Sequence, residues 1–171
     1  MIKVHSSFRL FSFLVFVSFG SIAAEVDQSF VEQVNDIELI DTSAMETEQG
    51  FVILKADDLE WDEDGADIQQ KVIYGDPTKA GLYILRARFS AGVTSVPHFH
   101  STDRFVTVIE GTWYAGTDAS HDIDKTTELS VGGFMIHPAG AVHFDGSRDG
   151  PVIVEIRGMG PVITEAVAVT R

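Results

Sequence analysis

Three histidines at fixed spacing constrain this chain more than any other feature of its sequence. His98 and His100 form a His-x-His pair, and side chains two residues apart lie on the same face of a β-strand. His143 lies in a second segment, three residues after Gly140. Two imidazoles on one face, met by a third from another strand, can hold a single divalent cation. The sequence therefore predicts strands around both segments and a metal site where they meet.

Short β-rich runs, separated by Gly, Pro, Asp and Ser, fill the chain from residue 51 onward. The alternation is clearest in 82–89, which is predicted to place Tyr83, Leu85, Ala87 and Phe89 on one face and Arg86 and Arg88 on the other. Further strands are predicted around 51–54, 93–100, 104–110, 112–116, 133–137, 142–145 and 151–157. Many short strands without a sustained helical period predict an all-β sandwich or barrel.

Glycines, a proline and the histidines recur at offsets that resemble the two sequence motifs of the cupin family. The matching residues are Gly92, His98, His100 and Gly111 in the first motif and Gly132, Pro138, Gly140 and His143 in the second. The resemblance covers roughly residues 92–147, about a third of the chain. It implies the cupin double-stranded β-helix, a jelly-roll barrel, and nominates His98, His100 and His143 as ligands of a divalent iron, zinc or manganese ion.

Arg104 stands where the family's metal-binding glutamate is expected. A guanidinium stays charged, has no lone pair for a metal, and is suited to holding a carboxylate or phosphate. If the strand is regular, Arg104 points into the metal pocket, where its charge and that of a dication together require an anion. Arg104 is therefore predicted to bind the negative group of a small organic ligand.

Two other arrangements around Arg104 stay open. Asp103, one residue out of the usual register, is a candidate fourth metal ligand. Alternatively the pocket holds no metal, and Arg104 forms an ion pair with Asp103 or Asp145.

Trp113 and His137 complete the set of predicted ligand-binding residues. Trp113 follows Gly111 directly and is predicted to form a pocket wall, as aromatic residues often do in small-molecule sites. His137 lies two residues after Met135, on the same face of the predicted strand. It is a candidate to support the metal ligands or to line the pocket, against the default of an ordinary packed, hydrogen-bonded histidine. His121 lies in an acidic loop and is expected to be exposed.

The N-terminal segment is typical of a secretory signal peptide. Lys3 and Arg9 precede an apolar run over 10–24 that ends in small residues, and this run is shorter than the roughly 20 residues that span a bilayer. Residues 1–23 are predicted to be the signal peptide, 24–50 an acidic leader or packing arm, and 51–171 the cupin domain. The mature protein is expected to be secreted or periplasmic, without membrane contact after cleavage.

Charge and cysteine content limit the partners further. Removal of 1–23 leaves 10 basic residues against 26 acidic ones, so the formal charge moves from −14 to −16. Such a surface repels nucleic acid, which is bound through lysine and arginine. The chain has no cysteine, so its stability comes from packing and, where one binds, from a metal rather than from disulfides.

Two classes of function follow from the resemblance. The first is a metalloenzyme, in which iron would activate oxygen as in a dioxygenase, or zinc or manganese would act as a Lewis acid. The second is a non-catalytic protein that binds a small anion without metal. The fold alone does not decide between them. Cupins often pair through their sheets, so a homodimer is also expected.

Overall fold

The computed structural model of the protein describes residues 45–61 and 65–170, and within these ranges nearly all regular structure is β-strand. The strands are β1 (Met45–Glu46), β2 (Val52–Ile53), β3 (Ile68–Tyr74), β4 (Gly81–Phe89), β5 (His98–His100), β6 (Arg104–Glu110), β7 (Thr112–Gly116), β8 (Thr127–Ser130), β9 (Phe134–His137), β10 (Phe144–Gly146), β11 (Val152–Gly160) and β12 (Thr164–Ala166). Two short 3-10 turns cover Ala56–Asp58 and Ile123–Lys125. No helix in the described ranges has the length and apolar character needed to cross a membrane.

The strands form antiparallel sheets whose order follows that of a jelly roll. The largest sheet has the order β3-β4-β11-β6-β9, and a second has the order β10-β7-β8. A third, two-stranded sheet pairs β12 with β5, and an isolated bridge between His98 and His143 links it to the segment leading into β10. The predicted all-β cupin barrel is confirmed.

Alternating side chains build the core between these sheets. The predicted inner face of β4 is confirmed, since its apolar residues are at most 5% exposed. The buried core consists of Tyr83, Leu85, Ala87, Phe89, Val106, Val108, Trp113, Ala115, Val152, Val154 and Ile156. Each large apolar side chain buried in this way contributes on the order of 1.5–3 kcal/mol, so the sheets that carry the site are held together mainly by packing.

The structure corrects several strand predictions. The strand expected at 51–54 is reduced to β2, which is exposed and pairs with β1. Since β1 lies within the predicted leader, the leader pairs with the start of the predicted domain. The strand expected at 93–100 is reduced to β5, preceded by a bridge from Thr94 to Gly146. Strands β1, β3, β8 and β12 were not predicted. The predicted signal peptide and most of the predicted leader, 24–44, lie outside the described residues.

The motif glycines mark the turns between strands. Gly92, Gly111, Gly132 and Gly140 all have positive φ, between 74° and 83°. Gly111 connects β6 to β7 at a point where the neighbouring chain comes very close, because a Cβ built on it would lie 2.2 Å from the carbonyl oxygen of Pro151. At Gly111 a glycine is therefore needed both for the positive φ and because a Cβ would clash with the neighbouring chain. At Gly132 it is needed for the positive φ alone.

Gly111→Ala is therefore expected to destabilise the protein more than Gly132→Ala. The positive φ costs an alanine about 1–2 kcal/mol at either position, but no atom lies within 4 Å of a Cβ at Gly132. At Gly111 the clash with the Pro151 carbonyl adds to this cost. Urea denaturation of both variants measures the difference, and equal losses of unfolding free energy would contradict this account.

Candidate functional site

Strand pairing brings the three predicted metal ligands together. His98 and His100 lie two residues apart on β5, and His143 lies opposite His98. Reciprocal backbone hydrogen bonds of 2.9 Å join His98 and His143, from each amide to the other residue's carbonyl. The three ring centroids are 4.3–5.1 Å apart, and one potential ligand atom from each residue lies within 4.8 Å of the others. The group therefore has the size to hold one cation.

Hydrogen bonds hold the Nδ1 atoms of His98 and His143. The Nδ1 atoms of His98 and His143 lie 2.7 Å and 3.0 Å from the carbonyl oxygens of Val96 and Ala141. A carbonyl only accepts, so each Nδ1 carries the proton and each Nε2 keeps its lone pair. The Nε2 of His143 is buried and has no hydrogen-bond partner in the described part of the chain. Metal-binding histidines are commonly held in this way, with one ring nitrogen donating to a carbonyl or carboxylate and the other facing the metal.

His100 differs because both of its nitrogens are bonded. Its Nδ1 lies 2.9 Å from the Oγ1 of Thr164 on β12. Nη1 of Arg104 lies 2.7 Å from its Nε2 and 3.3 Å from its Nδ1. Because a guanidinium can only donate, the nearer nitrogen, Nε2, is the acceptor, and Nδ1 donates to Thr164. Arg104 therefore lies against the site, with 8% of its surface exposed.

The structure gives Asp103 a role other than the one considered from sequence. Its Oδ1 accepts a 2.8 Å hydrogen bond from the amide of Ala139, in the loop of the second motif. Among the described residues, Asp103 belongs to neither group of side chains that could hold a metal. Among the described residues, no ion pair joins Arg104 to Asp103 or to Asp145.

A cavity of about 500 Å³ opens beside these groups. One part of its wall is polar and is formed by His98, His100, Arg104, His137 and Asp145. The rest is mainly apolar and includes Ile68, Phe89, Val96, Val106, Trp113, Val154 and Ile156. Trp113 and His137, the two other predicted ligand-binding residues, thus both line the cavity. Its size and its few convergent polar groups are typical of small-molecule sites.

His137 belongs to the pocket wall and has no hydrogen bond to any described residue. It pairs with Arg104 across β9 and β6, is 3% exposed, and has no partner on either ring nitrogen among the described residues. Its ring centroid lies 3.8 Å from that of His143. In the described part of the chain His137 therefore packs against other pocket rings without the hydrogen bond that an ordinary packed histidine would have.

His121 is also placed differently from the expectation. It is half-buried rather than exposed, and its Nε2 lies 2.9 Å from the Oγ1 of Thr94. It belongs to neither histidine group that could hold a metal.

Asp145 is a potential metal ligand that sequence reasoning considered only as an ion-pair partner of Arg104. It lies on β10, two residues after His143, and is 7% exposed. With His137 and His143 it forms a second group of potential ligand atoms within 4.8 Å of one another. The spacing of two from His143 was the available signal, because it places both side chains on one face of a strand.

Burial keeps most of these histidines neutral. Burial lowers the pKa of His100 to about 2, aided by the positive charge of Arg104. It lowers the pKa of His137 to about 2 and that of His143 to about 4, the latter opposed by the hydrogen bond to Ala141. These three imidazoles are therefore unprotonated at neutral pH, the form in which a histidine binds metal.

The two charged groups in the pocket are shifted by the same cause. Burial lowers the pKa of Arg104, while Tyr83 and Asp145 act in the opposite direction. Burial raises the pKa of Asp145, and the neighbouring His98 and Arg104 oppose this change. The pocket thus combines one buried cation, one buried carboxyl group and four imidazoles.

Comparison with known proteins gives structural likeness only. No protein-family model matches the sequence, and no curated protein matches it. The polyketide cyclase RemF from Streptomyces resistomycificus is similar over 70% of this chain and 87% of its own, with a TM-score of 0.55 and 17% identity. A cupin 2 conserved barrel domain protein from Leptotrichia buccalis is similar over 64% of this chain and 48% of its own, with a TM-score of 0.50 and 20% identity.

A third similar structure comes from the crystal structures of the DMSP lyases RdDddP and RnDddQII. It covers 63% of this chain and 62% of its own, with a TM-score of 0.51 and 14% identity. This chain thus spans less than two thirds of that structure and of the Leptotrichia protein. At these identities the likeness concerns the backbone. The chain has the cupin fold, as its two sequence motifs predict.

Proposed function

We propose that this protein binds a divalent metal through His98, His100 and His143 and acts on a small organic anion held beside it. The observation that carries the proposal is the fixed orientation of the rings. Each Nδ1 is held by a carbonyl or a hydroxyl, which leaves the Nε2 lone pairs of His98 and His143 for a metal, while the Nε2 of His100 faces Nη1 of Arg104. Three neutral nitrogen ligands suit zinc, iron or manganese and leave positions open for water or substrate.

The structure of the pocket supports this donor set. Burial keeps His100 and His143 neutral at physiological pH, so no proton has to leave these two rings before a metal binds. The unpartnered Nε2 of buried His143 is a lone pair that a cation would satisfy. A bound metal would supply a Lewis acid or, if it is iron, a centre for oxygen activation.

Arg104 and the apolar wall define the proposed ligand. A buried guanidinium attracts an anion more strongly than an exposed one, because the surrounding dielectric is low. The apolar wall, including Trp113, accepts a hydrocarbon body. The ligand class that fits is therefore a small organic acid, with its carboxylate or similar group at Arg104 and its apolar part against the core side of the cavity.

A metal-free binding protein is the second candidate, and a specific contact favours it. The Nη1 of Arg104 donates to the same Nε2 of His100 that the metal would require. A metal and this hydrogen bond compete for one lone pair. If the hydrogen bond from Arg104 keeps this lone pair, no metal binds, and the pocket is a cationic site that binds a small anion without catalysis.

Export, the absence of nucleic-acid partners and dimer formation belong to the proposal as well. The N-terminal charge and apolar pattern supports export, and the formal charge of −14 disfavours nucleic acid. Dimer formation is supported by neighbouring apolar side chains on β6 and β9, since Phe105, Phe134 and Ile136 are each more than 40% exposed.

Replacing His98, His100 or His143 with Ala is expected to lower the metal retained by the purified protein sharply. Each change removes one of only three ligands. His121→Ala is the matched control, because it removes a half-buried histidine outside the group. Elemental analysis of untagged protein measures the metal, and wild-type occupancy in all three variants would show that the assignment is wrong.

Arg104→Lys is expected to weaken binding of small carboxylates although it keeps the charge. Lysine lacks the planar guanidinium that donates two parallel hydrogen bonds to a carboxylate. Loss of one charge-assisted hydrogen bond costs about 1.5–3 kcal/mol, or roughly ten- to a hundredfold in affinity. Arg104→Glu is expected to abolish anion binding and to tighten metal binding, because it adds a carboxylate. Arg157→Lys, on the outer face of the sheet, is the control. Unchanged calorimetric titrations in both Arg104 variants would exclude Arg104 as the anion-binding residue.

The metal-free protein is expected to lose stability as the pH falls from about 6.5 to 4. The pKa values of His100, His137 and His143 are lowered in the folded state, so the unfolded chain binds more protons in this window and gains free energy from them. Each group contributes a slope of about 1.4 kcal/mol per pH unit. Urea denaturation at several pH values measures the slope, which should decrease in His137→Gln but not in His121→Gln. A flat profile would contradict the burial of neutral imidazoles.

A further inference from the structure

We propose that the pocket contains a second cation position, formed by His137, His143 and Asp145. It is additional to the three-histidine position and does not depend on that position being filled. Its ligand set is two imidazoles and one carboxylate, a combination used by iron, zinc and manganese sites.

The backbone places the three side chains together. His137 is the last residue of β9, and His143 and Asp145 project from one face of the segment that includes β10. One potential ligand atom from each lies within 4.8 Å of the others. All three residues are at most 7% exposed, and His137 and Asp145 line the cavity, through which an ion can reach them.

Unmet hydrogen-bonding capacity points to a missing ligand at this position. Neither ring nitrogen of His137, nor Nε2 of His143, has a partner among the described residues. Buried polar groups without partners are costly and rare in folded proteins. A cation bound at one nitrogen of each ring would satisfy two of these three atoms at once.

Asp145 gives this position a negative charge that the three-histidine position lacks. Asp145 is a buried carboxyl group whose Oδ1 accepts a long hydrogen bond of 3.3 Å from the Oγ of Ser95. A cation beside it would compensate its negative charge. The three-histidine group has no anionic member, and Arg104 occupies the lone pair of His100 Nε2.

The two positions share His143 and therefore exclude one another. The Nδ1 of His143 is bonded to the carbonyl of Ala141, so this ring has a single lone pair for a metal. The pocket accordingly holds one cation at a time. The hydrogen bond from Arg104 to His100 disfavours the three-histidine position, and an anion that draws Arg104 away would favour it.

Cobalt(II) titration separates the two positions, because its visible absorption reports on the ligands and calorimetry gives the affinity. We expect the double variant His98→Gln/His100→Gln to bind one Co²⁺ per chain, more weakly than the wild type. Adding Asp145→Asn, which preserves shape, should lower this remaining affinity at least about tenfold, the smaller of the effects seen on disturbing a metal site. His121→Gln in the same background is the control and should change nothing.

The results distinguish the two proposals. A double variant that keeps its circular dichroism spectrum and binds no Co²⁺ overturns the second position and leaves the three-histidine proposal intact. A double variant that binds Co²⁺ as tightly as the wild type supports the second position and overturns the three-histidine proposal. If the double variant does not fold, the same comparison is made in His100→Gln. Remaining Co²⁺ affinity that Asp145→Asn leaves unchanged overturns the second position in either background.

Discussion

The site depends on the pair of backbone hydrogen bonds between His98 and His143. These two bonds, each 2.9 Å long, join the β12-β5 sheet to the segment that enters β10. Two further bonds fasten the second motif to the first, from the amide of Gly140 to the carbonyl of His100 and from that of Ala139 to Asp103. The His-x-His pair and the distant histidine therefore form one rigid unit, in which the ring positions follow from the backbone rather than from side-chain flexibility.

Arg104 changes the charge balance of this unit. A glutamate at its position would be an acceptor and a ligand, whereas arginine is a donor that uses the lone pair of His100 Nε2. The negative charge of the pocket is then carried by Asp145, on a different strand. This separation of charge makes cation binding and anion binding interdependent, since an anion at Arg104 would release the lone pair that a metal needs. The same replacement thus underlies both the proposed ligand class and the two proposed cation positions.

Local patterns predicted the parts of the structure in which burial alternates with period two. β4, β6 and β7 were predicted within a residue, and motif spacing identified the three histidines. β3 was not predicted, because the residues on its buried face include Gln69 and Lys71, so buried positions do not coincide with apolar residues in the sequence. β12 was not predicted because its three residues are exposed. The bond from His100 to Thr164 joins residues 64 positions apart, and nothing in a single sequence reports such a contact.

The most direct test of the central claim is the protonation of the imidazole nitrogens in the metal-free protein. Long-range ¹H–¹⁵N NMR spectra, assigned with single histidine variants, distinguish Nδ1–H from Nε2–H tautomers. The account predicts Nδ1–H for His98, His100 and His143 at neutral pH, with three unprotonated Nε2 atoms whose resonances shift when Zn²⁺ is added. Nε2–H tautomers at His98 and His143, or Nε2 resonances that do not respond to Zn²⁺, would contradict it.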